Sequence, residues 1–219
     1  MASVVVFLAI SCLAVAHSSF INVYPNIEQQ PVSVDPGQPL FLTPLIEQGK
    51  IAEALSAAEV HFNGFHGVKS YSGYLTVDKR YNSNLFFWFF PSSSNYADDP
   101  VLLWLQGGPG ATSLIGLFAE NGPFKPKSKS GVTVRKYSWT AVASVLYIDN
   151  PVGTGYSFTS GGYSQNETSV GENIYTALLQ FFQLFPELQK NDFFVTGESY
   201  GGKRKCTIHV KLKFINKII

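Results

Sequence analysis

Asp192-Phe193-Phe194-Val195-Thr196-Gly197-Glu198-Ser199-Tyr200-Gly201 is the stretch that decides the fold. Its first five residues form a short, apolar, β-prone run. The run leads straight into a Gly-x-Ser-x-Gly pattern, which predicts a sharp turn from strand to helix that holds the Ser199 hydroxyl above the end of a sheet. A serine hydroxyl is a weak nucleophile until a base takes its proton. In folds built on this turn the acid and the histidine follow the serine in chain order. Between residues 200 and 219 there is no Asp, no Glu and one histidine, His209. A helix would carry His209 about 15 Å from Ser199.

Upstream of the turn, Ser169 and Glu172 form a capping box. Val170, Ile174, Ala177, Leu178, Phe181, Phe182 and Phe185 then recur at helical spacing until Pro186. Residues 144–149 and Val101-Leu102-Leu103-Trp104-Leu105 are continuous apolar runs of the kind buried on both faces of a sheet. Strand 144–149, helix 169–185 and strand 192–197 make a βαβ unit, which sets its strands parallel. Nearer the N-terminus, 70–77 and 84–90 read as a hairpin around a turn at 77–82, the second strand ended by Pro91. Residues 45–60 read as a helix, with Gly64 and Gly67 as breakers. This order, ending in a serine elbow, predicts an α/β-hydrolase fold.

Gln106-Gly107-Gly108-Pro109-Gly110 directly follows the first buried strand. Small residues there let backbone N–H groups approach a ligand, as an oxyanion hole requires. A tight turn after a strand is the other reading of such a run, and the serine elbow downstream favours the first.

Composition bounds the rest. A chain of 219 residues that is 45% hydrophobic, 15% aromatic and 14% charged is globular. Its net charge of +1 hides an asymmetry: six of the 16 basic residues lie in the last 17 positions, so residues 1–202 carry 10 basic against 15 acidic groups. An acidic body argues against nucleic acid as a partner. The apolar run from Ser3 to Ala16, with an Ala-x-Ala site at Ala14 to Ala16, reads as a signal peptide at 1–16 and is too short for a stable membrane anchor. In an exported chain, Asn166-Glu167-Thr168 is a glycosylation sequon. Cys12 and Cys206 are the two cysteines, so the body has no internal disulfide. No cluster has metal-ligand spacing and no phosphate-binding loop is present; neither metal nor cofactor is expected.

Four blocks, taken together, resemble the serine carboxypeptidases, and within them the vitellogenic carboxypeptidase-like branch. They are Trp104-Leu105-Gln106-Gly107-Gly108-Pro109-Gly110, Gly116-Leu117-Phe118-Ala119-Glu120-Asn121-Gly122-Pro123, Tyr147-Ile148-Asp149-Asn150-Pro151-Val152-Gly153-Thr154-Gly155-Tyr156-Ser157, and the run from Gly197 to Gly202. The resemblance implies that Ser199 is the nucleophile and that the N–H groups of Gly108 and Tyr200 form the oxyanion hole. It implies that Gln106, Gly107, Glu120 and Glu198 grip the substrate's terminal carboxylate. A carboxylic acid facing a carboxylate can share one proton, so such a site favours acid, and secreted, lysosomal or vacuolar settings are implied. Ala111 and Thr112 stand where much of the family has a cysteine and a serine. Gln106 replaces a commoner asparagine, with the same donors.

The resemblance runs from about Leu40 to Lys203. Residues 204–219 read as a basic, alternating tail unrelated to the family, and 17–203 as the N-terminal portion of an α/β-hydrolase domain, lacking the C-terminal strands and helices. The expected activity is release of C-terminal residues from peptides through an acyl-enzyme at Ser199. With neither acid nor well-placed histidine after the serine, the chain itself is expected to be inactive and, expressed alone, to aggregate. Two alternatives stay open: a non-catalytic secreted fragment that binds peptide C-termini weakly, and acyl transfer to a small alcohol or amine.

Overall fold

The structure, a computed structural model, describes residues 37–61, 64, 67–127 and 131–203. The expected signal peptide, Cys12, His66, Cys206, His209 and the basic tail lie outside the described residues. Two short helices open the chain, α1 (Thr43–Glu47) and α2 (Ile51–Ala58). One helix was expected over 45–60; the break falls at Gly49, whose φ of 71° a helix cannot accommodate. The hairpin follows as β1 (Tyr71–Asp78) and β2 (Ser83–Phe90), paired antiparallel around a short turn that closes with Asn82 in the left-handed region.

The two buried apolar runs become β3 (Val101–Leu105) and β6 (Ser144–Ile148). Between them lie a π-helical turn (Gly116–Glu120) and a small ribbon of β4 (Phe124–Pro126) and β5 (Val132–Val134), none of which had a periodic signal. The long helix α3 spans Glu167–Leu184. Its N-cap is Asn166, whose side chain accepts from the Ser169 N–H, so the capping-box reading placed the helix start three residues late. β7 (Phe193–Gly197) leads into the elbow.

The sheet order is β1-β2-β6-β3-β7. β3 pairs in parallel with both β6 and β7, so the expected βαβ unit has parallel outer strands but crosses over β3 rather than pairing β6 with β7. That crossover brings the C-terminal ends of β3, β6 and β7 together at one edge of the molecule.

The strand period of two divides the core between the faces. Phe87 and Phe89 of β2, Leu103 and Leu105 of β3, and Leu146 and Ile148 of β6 share one cluster with Ile174, Ala177, Leu178 and Phe181 of α3. Phe90, Trp104, Val145 and Tyr147 point the other way, against Leu117 and Phe124. Phe181 sits edge-on to Phe89 at 5.0 Å between ring centroids. Each fully buried side chain of this size contributes about 2–3 kcal/mol. At β7 the second face thins, leaving Phe194 43% exposed.

Candidate active site

Ser199 adopts φ 52°, the left-handed region that a residue with a Cβ enters only when its surroundings hold it there. The helix starts at once behind it: Gly201 N–H donates to Glu198 O at 2.9 Å, Gly202 N–H to Ser199 O at 3.0 Å, and Lys203 N–H to Tyr200 O at 3.1 Å. The flanking glycines are required by contact with β3. A Cβ on either Gly197 or Gly201 would collide with the Leu105 carbonyl. The strand-to-helix turn expected from the sequence is therefore present, with Ser199 exposed at its tip.

The loop after β3 lies against this turn. A Cβ on Gly107 would stand 2.9 Å from both Glu198 O and Ser199 Cβ and 3.1 Å from the Tyr200 nitrogen. Backbone at 107 thus passes directly beside Ser199, and Gly108 follows it in the left-handed region, at φ 111°. Tyr200 reaches back to α3, where its hydroxyl donates to Glu167 Oε1 at 2.9 Å.

Gln106, 5% exposed, gathers the acidic residues. Its Oε1 accepts from the Trp104 indole N–H at 2.9 Å, which fixes the amide so that Nε2 faces the other way. Nε2 donates to Glu120 Oε1 and Glu198 Oε2, each at 3.1 Å. Two exposed carboxylates, one from the π-helical turn and one from the elbow, therefore converge on one buried carboxamide beside the serine.

Asp149 ends β6 with a carboxylate that is 1% exposed. Oδ1 accepts from Thr112 Oγ1 at 2.6 Å and Ser113 N–H at 2.8 Å, and Oδ2 from Tyr156 N–H at 2.9 Å. Burial pushes its pKa up, and the bonds from Thr112, Tyr156 and Ser113 oppose that rise. Both oxygens are engaged by neighbouring loops. Among the described residues the histidine is His61, exposed just before β1; β1 lies four strand spacings, about 19 Å, from β7.

The structure thus brings Gln106, Gly107, Glu120, Glu198, Ser199 and Tyr200 together, with Gly108 in the adjoining loop. Asn166 is exposed at the start of α3. Trp104, Thr112, Ser113, Tyr156 and Glu167 are the site's supports that sequence reasoning missed. Trp104 and Tyr156 lie within the motif blocks and Thr112, Ser113 and Glu167 outside them, and no spacing rule says which side chain meets which. Among the described residues, no group of three or more His, Cys, Asp or Glu side chains is placed to hold a metal ion. A cavity of about 770 Å³, lined by Val68, Tyr71, Ser92, Tyr96, Arg135 and Phe185, lies at the other ends of the strands and includes none of these site residues.

The serine carboxypeptidase family profile matches residues 61–217, a stretch that runs past Lys203. The chain is similar to venom serine carboxypeptidase of Apis mellifera, with 58% identity over 201 residues covering 90% of this chain and 43% of the relative. It is similar to vitellogenic carboxypeptidase of Aedes aegypti, with 48% identity over 204 residues and the same two coverages. It therefore spans about two fifths of the length of these relatives. Among solved structures, a prohormone-processing carboxypeptidase from Saccharomyces cerevisiae superposes with a TM-score of 0.67 at 24% identity, covering 74% of this chain and 39% of that one. That likeness identifies the fold as the α/β-hydrolase fold, built on a mixed, mostly parallel sheet. By profile and by relatives, the chain belongs to the serine carboxypeptidase family.

Proposed function

We propose that the protein is a serine-type carboxypeptidase whose nucleophile is Ser199. The observation that carries this reading is the convergence, beside a serine in the left-handed elbow, of the Gly107 backbone and a carboxamide that bridges Glu120 and Glu198. Ser199 Oγ attacks the carbonyl carbon of the last peptide bond as its proton passes to a base. The N–H groups of Gly108 and Tyr200 receive the negative charge that develops on the carbonyl oxygen. The C–N bond breaks, the terminal amino acid leaves with a proton on its nitrogen, and water then hydrolyses the acyl-enzyme. Gln106 Nε2, the Gly107 N–H, Glu120 and Glu198 take the substrate's free carboxylate, and a proton shared between carboxyl groups there favours acid conditions.

Among the described residues no histidine stands beside Ser199, and the reading is of turnover in a form extended to the length of the relatives. A secreted or lysosomal setting, with a glycan on the exposed Asn166, fits an acid-favouring site. Among the described residues β7 ends the strand order, and this with the exposed Phe194 supports self-association of residues 17–219 expressed alone. A monodisperse monomer with a sharp thermal transition would overturn that last point.

The test is labelling by a serine-reactive phosphonate, together with release of the C-terminal residue from a blocked dipeptide at acid pH. The extended form is expected to do both and its Ser199→Ala variant neither. Activity that survives Ser199→Ala would overturn the assignment. Transfer of the acyl group to an added alcohol in preference to water would move it to acyl transfer.

A further inference from the structure

We propose that Asp149 and Thr112 are positioning residues for the reaction: together they form a brace that holds the 106–113 loop, and with it the Gly108 N–H, in register with Ser199. This inference rests on the reading of Ser199 and Gly108 given above. The 106–113 loop leaves β3 and must return, because its last residues pass over the end of β6. Its base is closed by Ser113, whose hydroxyl accepts from Gln106 N–H at 3.2 Å and donates to Ile148 O at 2.6 Å. Its middle is closed by the Ala111 N–H, which donates to Gly107 O at 3.2 Å. Beside the Ser113–Ile148 bond, Asp149 Oδ1 ties the far side of this closed loop to the end of β6, through Thr112 Oγ1 and Ser113 N–H.

The other carboxylate oxygen holds the second loop. Asp149 Oδ2 accepts from Tyr156 N–H, and the Asp149 carbonyl accepts from Ser157 Oγ at 2.6 Å. Gly155, at φ 54°, has no Cβ because one would overlap Asp149 Oδ2 and stand 2.9 Å from Thr112 Oγ1. One buried carboxylate therefore receives three donors from two loops, and the neighbouring backbone is shaped to let it. An ionised carboxylate accepts at both oxygens, whereas a carboxamide offers one acceptor and one donor group. Asp149→Asn would face either Tyr156 N–H or the Thr112 and Ser113 pair with its own N–H₂. Small displacements of an oxyanion donor are costly: about 1 Å can lower a rate about 100-fold.

In the extended form, Asp149→Asn is expected to lower kcat about tenfold or more with KM changed less than about threefold, since the grip on the substrate carboxylate is made elsewhere. Thr112→Val, which keeps the shape and removes the hydroxyl, is expected to lower kcat about tenfold. Thr112→Ser, which keeps the hydroxyl, is expected to stay within about threefold of the parent. Should Asp149→Asn fail to fold, the Thr112 pair decides. If Thr112→Val leaves kcat unchanged in a folded protein, or if Thr112→Ser falls as far as Thr112→Val, the brace is overturned. If the folded parent shows no Ser199-dependent turnover, the functional reading falls, and amide exchange across 107–113 then decides the brace. Faster exchange in Thr112→Val than in Thr112→Ser supports it, and equal exchange overturns it.

Discussion

The 106–113 loop and the 198–203 elbow face each other across Ser199 and are held in opposite ways. The first is closed by side chains: Ser113, Thr112 and Asp149 supply buried hydrogen bonds, and Trp104 orients Gln106. The second is held chiefly by backbone contact, with Gly197 and Gly201 pressed on the Leu105 carbonyl, and by two side-chain tethers, Tyr200 to Glu167 and Glu198 to Gln106. Polar side chains locate a loop within tenths of an ångström but can be lost one at a time. Backbone contact cannot be tuned, and a single methyl group breaks it.

The sharpest way to break this comparison is Gly201→Ala. In an ordinary helix this change stabilises by about 1 kcal/mol. Here the added Cβ meets a β3 carbonyl, and a loss of about 3 kcal/mol is expected in urea unfolding. A neutral or stabilised variant would show that the elbow is not pinned on β3. Gly107→Ala brings a methyl group to 2.9 Å from Ser199 Cβ, and about 2 kcal/mol is expected. Phosphonate labelling of the extended form should fall with it.

Trp104→Phe keeps an aromatic ring but removes the indole N–H that orients Gln106, which costs about 1.5 kcal/mol. It should raise KM for peptides more than it lowers kcat. No change in KM would separate Gln106 from carboxylate binding.

Asp149 sharpens the contrast through pH. Burial raises its pKa in the folded state above the 3.8 of a free carboxyl. The folded chain then binds the proton more tightly than the unfolded one, so this contribution to stability is fully present below pH 3.8 and is lost as pH rises through the folded pKa. A tenfold difference in proton affinity between the folded and unfolded chains corresponds to about 1.4 kcal/mol. Thermal unfolding of the parent from about pH 4 to about pH 7 should decline more steeply than that of Asp149→Asn. Parallel curves would remove Asp149 as a source of the dependence. The smallest effect expected is that of Asn166→Ala. It removes the N-cap of the helix that carries Glu167, at a cost of about 1 kcal/mol or a few degrees in Tm, and should leave the 106–113 loop unmoved in amide exchange.

Legibility in the sequence followed local chemistry. Val101-Leu102-Leu103-Trp104-Leu105 and the 145–148 run are apolar throughout because both faces of a central strand are covered, and both were readable as strands. The hairpin was readable from Pro91 and the turn at 79–82. Gly116–Glu120 was not, since a π-helical turn has no repeat long enough to carry a period. The start of α3 was misplaced because Ser169 and Asn166 are both competent caps, and in the fold it is the Asn166 side chain that accepts, from the Ser169 N–H.

By itself the sequence determined the elements and their chemistry: a strand running into Gly-x-Ser-x-Gly, a glycine-rich loop after a buried strand, and the acids Glu120 and Glu198 in specific motif blocks. These are properties of residues near one another in the chain, where local sterics and hydrogen bonding operate. Only the tertiary structure decided that β3 stands between β6 and β7 and that Gln106 reaches two carboxylates 14 and 92 residues away. The same holds for Asp149, which ties two loops. Which strand lies beside which is set by how the two apolar faces of the sheet are buried together, and that is a property of the whole assembly of elements.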